Sequence, residues 1–242
     1  MENAKISKYI VIASLILGLS LIIGTAVISQ TIYSVKRLND TLSVTGSTKQ
    51  QVTSDQIKWR SSFSRNAVAS NLQAGYAQMK TDEKAVAKFL KDGGIDASQI
   101  TISPITMMEN YKPGYGEKEY TLTQNVVASS GEVDKITNLS KNVQPLVDKG
   151  VIFSTQAVEY YISKLPELRI SLLSDAMKDA QARAAKIAES TGKKVGAVQS
   201  ADMGVVQVLS VNSVEVSDYG SYDTSNIEKE VMVTVKATFR LE

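Results

Sequence analysis

The stretch DAMKDAQARAAKIAESTGKKVG, residues 175–196, holds the most regular pattern of this chain. Apolar residues recur every three or four positions, at Leu173, Ala176, Ala180, Ala184 and Ile187. This spacing predicts one apolar face of a helix over residues 166–191. Most of the face is alanine. Because such small side chains let a neighbouring backbone approach closely, we expect the face to pack against a sheet or a partner helix.

The charges and glycines of the same stretch have a structural explanation. Asp179 and Arg183 are four positions apart, in the order that favours an ion pair along a helix. Lys193 and Lys194 follow the helix end, whose partial negative charge attracts cations, and Gly192 suits the left-handed residue that closes a helix. Phosphate sites use the opposite end of a helix, where free N–H groups point outward. The stretch therefore predicts a framework helix rather than a phosphate or nucleic-acid site.

Residues 9–28, YIVIASLILGLSLIIGTAVI, predict a membrane-spanning helix. These 20 residues carry no charge, and at about 1.5 Å per residue they reach roughly 30 Å, the thickness of the hydrocarbon core of a bilayer. A cleaved signal peptide, which usually has an apolar stretch of about 7–15 residues, is the first alternative, since Val27 and Ser29 form a weak cleavage pattern. A buried core helix is the second. We expect an uncleaved signal-anchor between a tail of residues 1–8 and a linker of residues 29–40.

The orientation of this segment rests on the lengths of its two flanks. Lys5 and Lys8 precede the segment, and Lys36 and Arg37 follow it, so the charges on the two sides nearly cancel. A short tail inside and a long exported part is the usual arrangement for such a signal-anchor. We therefore expect a single-pass protein of the bacterial cytoplasmic membrane with its C-terminal domain on the periplasmic or outer face. The lipid bilayer is then a partner through residues 9–28.

The charge balance of the remaining chain argues against a nucleic-acid partner. The first 40 residues hold four of the 27 basic and two of the 25 acidic residues, so residues 41–242 carry 23 of each sign. A protein that binds a phosphate backbone needs a cationic face, and the balance of the body indicates none. We expect no nucleic-acid binding.

The missing residue types narrow the chemistry further. The chain contains no cysteine and no histidine. Disulfides, thiolate nucleophiles and zinc–thiolate sites are excluded, and so is a Ser-His-Asp triad. The commonest general base near neutral pH is also absent. Carboxylate sites, Ser-Lys chemistry and a tyrosine acid–base remain, and we expect neither a cofactor nor a metal.

Alternating and helical patterns along the body predict its fold class. Residues 57–63 and 231–241 alternate apolar and polar side chains, as half-buried strands do. Gly46 predicts a bend or bulge in the first strand, and Pro104 predicts an edge strand or a bulge. The other predicted elements are strands at residues 41–52, 99–109, 120–129, 154–163, 194–199 and 205–214, a helix at residues 69–91, and a helix within residues 132–150 that ends before Pro145 or soon after it. The prediction is α+β, with residues 41–242 forming mainly antiparallel strands packed with about three helices, in two subdomains at about residues 41–130 and 131–242.

Two tyrosine-bearing loops are the candidate contact sites. Tyr111 and Tyr115 lie in a predicted hairpin loop, residues 110–119, which holds Pro-Gly and a further glycine. Tyr219 and Tyr222 lie in a second polar loop before the last strand. Loop aromatics beside glycine and serine make good contact residues, while scattered surface tyrosines are the alternative.

Other candidate chemistry is less supported. Glu109, Glu117 and Glu119 lie close in sequence and resemble part of a calcium or magnesium site, but exposed hairpin charge explains them better, since nothing supplies a full cage of oxygen ligands. A Ser-Lys dyad needs a buried lysine with a lowered pKa, and no spacing in the sequence singles one out.

Four segments together resemble the SIMPL-domain family, a domain of unknown function in bacterial envelope proteins that include a brucella periplasmic immunogenic protein. The segments are LSVTGSTKQQV, FLKDGGIDASQITI, DAMKDAQARAAKIAESTGKKVGAV and VMVTVKATFRLE. Their order and spacing extend the resemblance over residues 41–242. The sequence departs from the family where Thr53, Ser54 and Asp55 stand in place of a frequent proline.

The resemblance implies an α+β body, export to the cell envelope and, for some members, assembly into large ring-like homo-oligomers. Some members are associated with oxidative stress, and the family has no established catalytic residues. The leading hypothesis is therefore a non-enzymatic, membrane-anchored envelope protein that self-assembles. The alternatives are a monomeric or dimeric periplasmic module that binds a ligand or partner, and a hydrolase that uses carboxylates or Ser-Lys.

Overall fold

The computed structural model of the chain describes residues 2–37, 40–111, 114 and 116–242. In this part the chain forms five α-helices: α1 (Glu2–Arg37), α2 (Leu72–Asp92), α3 (Val133–Lys141), α4 (Gln144–Val147) and α5 (Leu165–Ser190). The same residues form ten strands: β1 (Thr41–Thr53), β2 (Gln56–Val68), β3 (Ile100–Ile102), β4 (Thr106–Asn110), β5 (Glu119–Ser130), β6 (Ile152–Tyr161), β7 (Val195–Met203), β8 (Gln207–Ser210), β9 (Ser221–Tyr222) and β10 (Glu228–Leu241). The class is α+β with an apolar N-terminal helix, as the sequence predicts.

The chain divides into two compact units, each assembled from separated stretches. The first unit consists of Met1–Thr48, Leu173–Gly204 and Thr234–Glu242. The second consists of Lys49–Leu172 and Val205–Val233. Strands β1 and β10 and helix α5 each contribute residues to both units. The division at about residue 130 stays a prediction.

In the second unit, β2 is the central strand of an antiparallel sheet. It pairs with β5 on one side and with β6 on the other, and β3 and β4 follow one another along the far edge of β5. Strand β8 pairs antiparallel with the start of β10 and parallel with the two-residue strand β9. Among the described residues β8–β9 is the one parallel pair that the pairing registers show, so the prediction of mainly antiparallel strands is confirmed.

The predicted alternation in β2 produces the core of this unit. Ile57, Trp59 and Phe63 are each 1% exposed. They share a hydrophobic cluster with Met79 and Leu90 of α2, which are fully buried. Because successive side chains of a strand point to opposite faces, one face of β2 supplies a row of large apolar residues that α2 covers.

In the first unit, β10 pairs antiparallel with β7. The valines and aromatics predicted to alternate in β10 are buried, and Val235 and Phe239 are 2% and 1% exposed. On α5, Ala176, Ala180 and Ala184 are fully buried. The alanine face is therefore used inside this chain.

The close approach of β1 to α5 at Gly46 explains why the buried face of α5 is alanine. It also gives Gly46 a different role from the predicted bend or bulge. A Cβ atom at Gly46 would stand closer than van der Waals contact to the backbone oxygen of Ala176 and the backbone nitrogen of Ala180, and 2.8 Å from Ala180 Cα. Strand β1 continues through this position. Of the two partners expected for the alanine face, a sheet and a partner helix, the structure shows the sheet.

The ends of the predicted apolar stripe on α5 were wrong by one position. Leu172 and Ala188 are 2% and 1% exposed, whereas Leu173 is half-buried and Ile187 is 45% exposed. The buried positions run every four residues from Leu172 to Ala188. Side chains four residues apart form a ridge that is inclined to the helix axis. Which ridge is buried depends on the surface that packs against the helix, and the spacing of apolar residues in the sequence does not decide it.

Two prolines mark breaks in the predicted elements. The strand predicted at residues 99–109 is β3 and β4, with Pro104 between them. The helix predicted to begin at residue 132 and to end near Pro145 is α3, which ends at Lys141, and Pro145 lies in the first turn of a separate short helix, α4. Proline lacks the N–H that a ladder or a helix interior needs and is tolerated in a first turn. The strand predicted at residues 205–214 is only the four-residue β8, and β9 was not predicted.

Asp55 ties the β1–β2 turn to the start of α5. Its carboxylate accepts hydrogen bonds from the backbone N–H of Ser163 at 2.7 Å and from the Ser163 hydroxyl at 2.5 Å. Burial raises the pKa of Asp55, but the hydrogen bonds to its carboxylate and the nearby charge of Lys164 together outweigh burial, so the pKa lies below its ordinary value.

We expect Asp55 to make part of the stability of the fold sensitive to acid. A carboxyl group with a lowered folded-state pKa stabilises the fold above its unfolded pKa of about 3.9, and this contribution is lost as the pH falls through the folded pKa. Asp55→Asn should therefore melt below the wild type at neutral pH, with a difference that shrinks as the pH falls below about 4. Melting temperatures of the full chain across this range measure it, and Ser163→Ala should give a smaller change of the same kind. A difference that grows toward acid would contradict the assignment.

Candidate functional site

The β4–β5 hairpin presents apolar side chains to solvent. Tyr111, directly after β4, is 87% exposed, and Met107 and Met108 within β4 are 48% and 71% exposed. In the described residues β5 is the strand that pairs with β4, so the outer edge of β4 is uncovered. Tyr115, the second tyrosine of this predicted loop, lies outside the described residues. Exposed apolar residues in one place mark interaction surfaces.

A groove of about 630 Å³ lies beside the base of this hairpin. The register pairs Val68 at the end of β2 with Glu119 at the start of β5, and both residues line the groove. The other lining residues are Arg65, Asn66, Ala67, Asn71, Ala74, Gly75 and Gln78. Amide and charged side chains therefore dominate its polar lining, which suits hydrogen bonding to a polar ligand.

A bidentate ion pair lies at one side of this groove. Arg65 Nε and Nη2 donate to the two carboxylate oxygens of Asp82 at 2.6 and 3.0 Å, and Asp82 is 2% exposed. The hydrogen bond to Asp82 raises the pKa of the Arg65 guanidinium above its ordinary value. This ion pair was not predicted from the sequence. The signal available was a polar residue, Asp82, between Met79 and Val86 on the apolar side of α2, since a carboxylate there needs a buried partner.

The second predicted tyrosine loop also presents apolar side chains to solvent. Tyr219, Val214 and Val216 are 97%, 93% and 64% exposed. Within this loop Asn212 has a φ of 64°, the left-handed conformation that asparagine tolerates better than most residues. The loop thus offers three large apolar side chains that their own chain leaves uncovered.

Tyr222 occupies a different environment from the other candidate tyrosines. It lies in β9, is 38% exposed, and its hydroxyl accepts a hydrogen bond from the backbone N–H of Ile162 at 3.0 Å. Its ring centroid lies 5.8 Å from that of Tyr161 and 5.9 Å from Lys229 Nζ. These contacts use much of the side chain within the chain itself, so Tyr222 offers less surface than Tyr111 or Tyr219.

Lys229 is the buried lysine that the spacing of the sequence did not single out. It is fully buried, and its ammonium group donates to the backbone carbonyl oxygens of Asp223 and Asn226, the latter at 2.7 Å. Burial lowers the pKa of Lys229, and the nearby Asp223 carboxylate opposes that shift. Both of the hydrogen bonds that its ammonium group makes within the described residues go to carbonyl groups, so Lys229 holds the loop before β10 in place.

Glu109 and Glu117 of the hairpin interact with different partners. Glu109 pairs with Lys118 at 3.1 Å, and Glu117 accepts the backbone N–H of Ser70 at 2.5 Å, which lowers the pKa of this exposed carboxyl. Within the described ranges, no group of three or more acidic side chains could hold a metal ion.

Helix α1 contains one stretch, Ala13–Ile32, that is long and apolar enough to cross a membrane. Its mean hydropathy is 2.0, and 0% of it is buried. It overlaps the predicted segment over residues 13–28. Length and composition suit a membrane anchor and a signal sequence alike, so the helix supports a membrane-bound or exported protein.

Comparison with known proteins identifies the family of the chain. No curated protein matches the chain. A crystal structure of an unknown protein from Galdieria sulphuraria is 12% identical, with 46% of this chain and 53% of that chain covered and a TM-score of 0.24. A "putative aminohydrolase" from methicillin resistant Staphylococcus aureus is 9% identical, with 49% and 32% covered and a TM-score of 0.22. By contrast, the model of the SIMPL family, described as a protein of unknown function (DUF541), matches residues 42–239. The chain therefore belongs to the SIMPL family.

Proposed function

We propose that this chain is a non-enzymatic, membrane-anchored protein of the cell envelope that self-assembles into a large, ring-like homo-oligomer with a role in envelope or oxidative stress. The observation that carries the anchoring is the Ala13–Ile32 stretch, a 20-residue apolar helix of which 0% is buried inside the folded chain. An uncovered apolar helix of this length is unfavourable in water and favourable in lipid. The SIMPL body then stands on the side of the membrane to which the anchor exports it.

Self-assembly is supported by the apolar side chains that the folded body leaves uncovered. The folded body leaves exposed Met107 and Met108 of β4, Tyr111 directly after it, and Val214 and Tyr219 of the second loop. Met and Tyr are enriched in protein interfaces, and large exposed apolar patches mark interaction sites. The alanine face of α5 is buried in its own unit, and we assign the subunit contacts to these exposed residues.

Anchoring favours a closed ring among the possible assemblies. If all anchors insert with the same orientation, all copies lie in the plane of one membrane. Each copy can then contact its two neighbours through two different surfaces, and such contacts form a closed ring when the rotation between copies closes. A non-enzymatic role agrees with a chain that contains no histidine and no cysteine and with a buried lysine whose hydrogen bonds go to backbone carbonyls.

The assembly predicts a particle of several times the monomer mass for the full chain in detergent. Light scattering after size-exclusion chromatography measures this mass. Val214→Ser combined with Tyr219→Ser should shift most of the protein to smaller species, because the pair removes the most exposed apolar groups of the second loop. Their effect on the free energy of unfolding should stay within about 0.5 kcal/mol, as for other surface substitutions.

Glu215→Gln in the same loop is the matched control, and it should leave the particle mass unchanged. A wild-type monomer at micromolar concentration would rule out the assembly altogether. A wild-type oligomer that the double substitution leaves intact would instead assign the contacts to other surfaces.

A second candidate function is supported by the groove beside the hairpin. A volume of about 630 Å³ lined by Arg65, Asn71, Gln78 and Glu119 lies in the range of small-ligand sites. This observation favours the periplasmic binding-module alternative, with a polar ligand held by amide and guanidinium groups. A monomeric full chain that binds a polar small molecule, and loses it in Gln78→Ala, would favour this function over assembly.

A further inference from the structure

A second groove, called the anchor-side groove below, lies between β1 and α5 within the first unit. Its volume is about 560 Å³. It is lined by Val44, Thr45, Ala182, Arg183, Lys186 and Ile187. It is separate from the exposed loops that the proposed assembly uses.

The anchor-side groove combines an apolar floor with a cationic rim. Val44 is 9% exposed and Ile187 is 45% exposed, while the side chains of Arg183 and Lys186 are 53% and 83% exposed. Its described lining contains no acidic residue. An occupant that matches this lining carries an apolar chain and an anionic group.

Both cations have carboxylate partners on the same helix. Arg183 pairs with Asp179 at 2.8 Å, and Lys186 pairs with Glu189 at 2.9 Å. Exposed helix pairs of this kind stabilise by under about 1 kcal/mol and are screened by salt. They leave the guanidinium and ammonium groups able to turn toward an anion at the groove.

The groove lies close along the chain to the apolar helix α1. Lys193 Nζ lies 3.1 Å from the carboxylate of Asp40, and the backbone N–H of Leu241 donates to the carbonyl oxygen of Asp40 at 2.9 Å. The C-terminal end of α5 therefore lies at the residue where the chain arrives from its anchor. The apolar stretch ends at Ile32, and α1 continues to Arg37.

The chain between the anchor and the groove is short. Five more helical residues after Ile32 add about 7.5 Å, three residues to Asp40 add at most about 10 Å, and four strand residues to Val44 add about 13 Å. The anchor-side groove therefore stays within roughly 30 Å of the hydrocarbon core. Because this short segment connects the groove to the anchor, the effective concentration of membrane lipid at the groove is high.

We propose that the anchor-side groove binds a phospholipid from the membrane that holds α1. An acyl chain lies along Val44, Ala182 and Ile187, and the lipid phosphate is bound by Arg183 and Lys186. The proposal rests on the membrane anchoring proposed above. Free inorganic phosphate would meet only the rim, whereas a phospholipid uses the rim and the floor together.

Photo-crosslinking of the full chain in phosphatidylcholine vesicles tests the proposal. The vesicles contain a small fraction of a phospholipid with a diazirine on its acyl chain, and the adducts are mapped by mass spectrometry. We expect adducts in α1, which report anchoring, and separate adducts in the peptides that hold Val44 and Ala182. Excess inorganic phosphate should not remove the second set.

Two groove variants and one control sharpen the result. Lys186→Glu and Ala182→Glu should each lower the yield of groove adducts at least about tenfold, because they place a carboxylate at the rim or floor, while adducts in α1 stay unchanged. Lys178→Glu makes the same charge change on the same helix outside the groove and should leave both sets unchanged.

The possible outcomes separate the two proposals. Adducts in α1 without adducts in the groove would overturn the lipid site and leave the anchoring intact. Groove adducts that persist in Lys186→Glu and Ala182→Glu would overturn the lipid site as well. An absence of adducts in α1 would overturn the anchoring, and with it the lipid site.

Discussion

Gly46→Ala destabilises the folded chain by about 3 kcal/mol, at the upper end of the cost of overpacking. In most strand positions the same change stabilises by about 0.5–1 kcal/mol, because glycine loses more conformational freedom on folding than alanine does. Here the added Cβ meets the backbone of α5 at Ala176 and Ala180. No side-chain rotation relieves a clash with backbone atoms, so β1 and α5 have to separate.

Urea unfolding of the full chain in detergent, followed by far-ultraviolet circular dichroism, measures this loss as a lower midpoint. Gly116→Ala is the matched control, since a Cβ there meets nothing within 4 Å, and its midpoint should stay at the wild-type value or rise slightly. A Gly46→Ala midpoint at or above that of the wild type would show that β1 and α5 do not pack this closely in solution.

Asp82→Ala destabilises by about 3 kcal/mol, because it leaves the guanidinium of Arg65 without its partner beside the core. Asp82 is 2% exposed and the side chain of Arg65 is 22% exposed. Removing one partner of such a pair costs more than replacing both by apolar groups, since only the first leaves an uncompensated charge. The double variant Arg65→Met with Asp82→Leu should therefore recover most of the lost stability.

The same unfolding experiment provides the comparison. Asp92→Ala removes the partner of Lys88 from an exposed pair with side chains 63% and 67% exposed, and it should cost no more than about 0.5 kcal/mol. If Asp82→Ala unfolds at the wild-type midpoint, water reaches the Arg65 guanidinium freely and the ion pair adds nothing to the fold. If the double variant is no better than Asp82→Ala, the loss comes from packing and the charge is not responsible.

Elements whose signal is local were predicted correctly from the sequence. The alternation through Ile57, Trp59 and Phe63 placed β2 with its buried face, because the two-residue period of a strand is a property of its own backbone. Gly192 was assigned to the close of α5, and it has a φ of 71°. Asp179 and Arg183, four residues apart on one helix, form the predicted ion pair at 2.8 Å.

Features that depend on residues far apart in sequence were missed. Asp82 lies in α2 and Arg65 in β2, and the sequence of neither element indicates that the two residues form a pair. Lys229 lies two residues before Val231, on the buried face of β10, and its ammonium group is satisfied there by carbonyl groups of the preceding loop. The environments of the candidate tyrosines also differ because of contacts between residues far apart in sequence. All four look alike in sequence, but Tyr222 is packed against Tyr161 whereas Tyr111 and Tyr219 face solvent.

The sequence by itself determined the apolar N-terminal helix, the α+β class and the side-chain types that are absent, because these follow from composition and from short periods along the backbone, and the order of four segments indicated the family. Only the tertiary structure decided which ridge of α5 is buried, why position 46 has no side chain, and which polar groups are paired inside the fold. These depend on what lies across a contact. The alanine face of α5 indicates that another element approaches closely, and the contacts of Gly46 show that this element is β1.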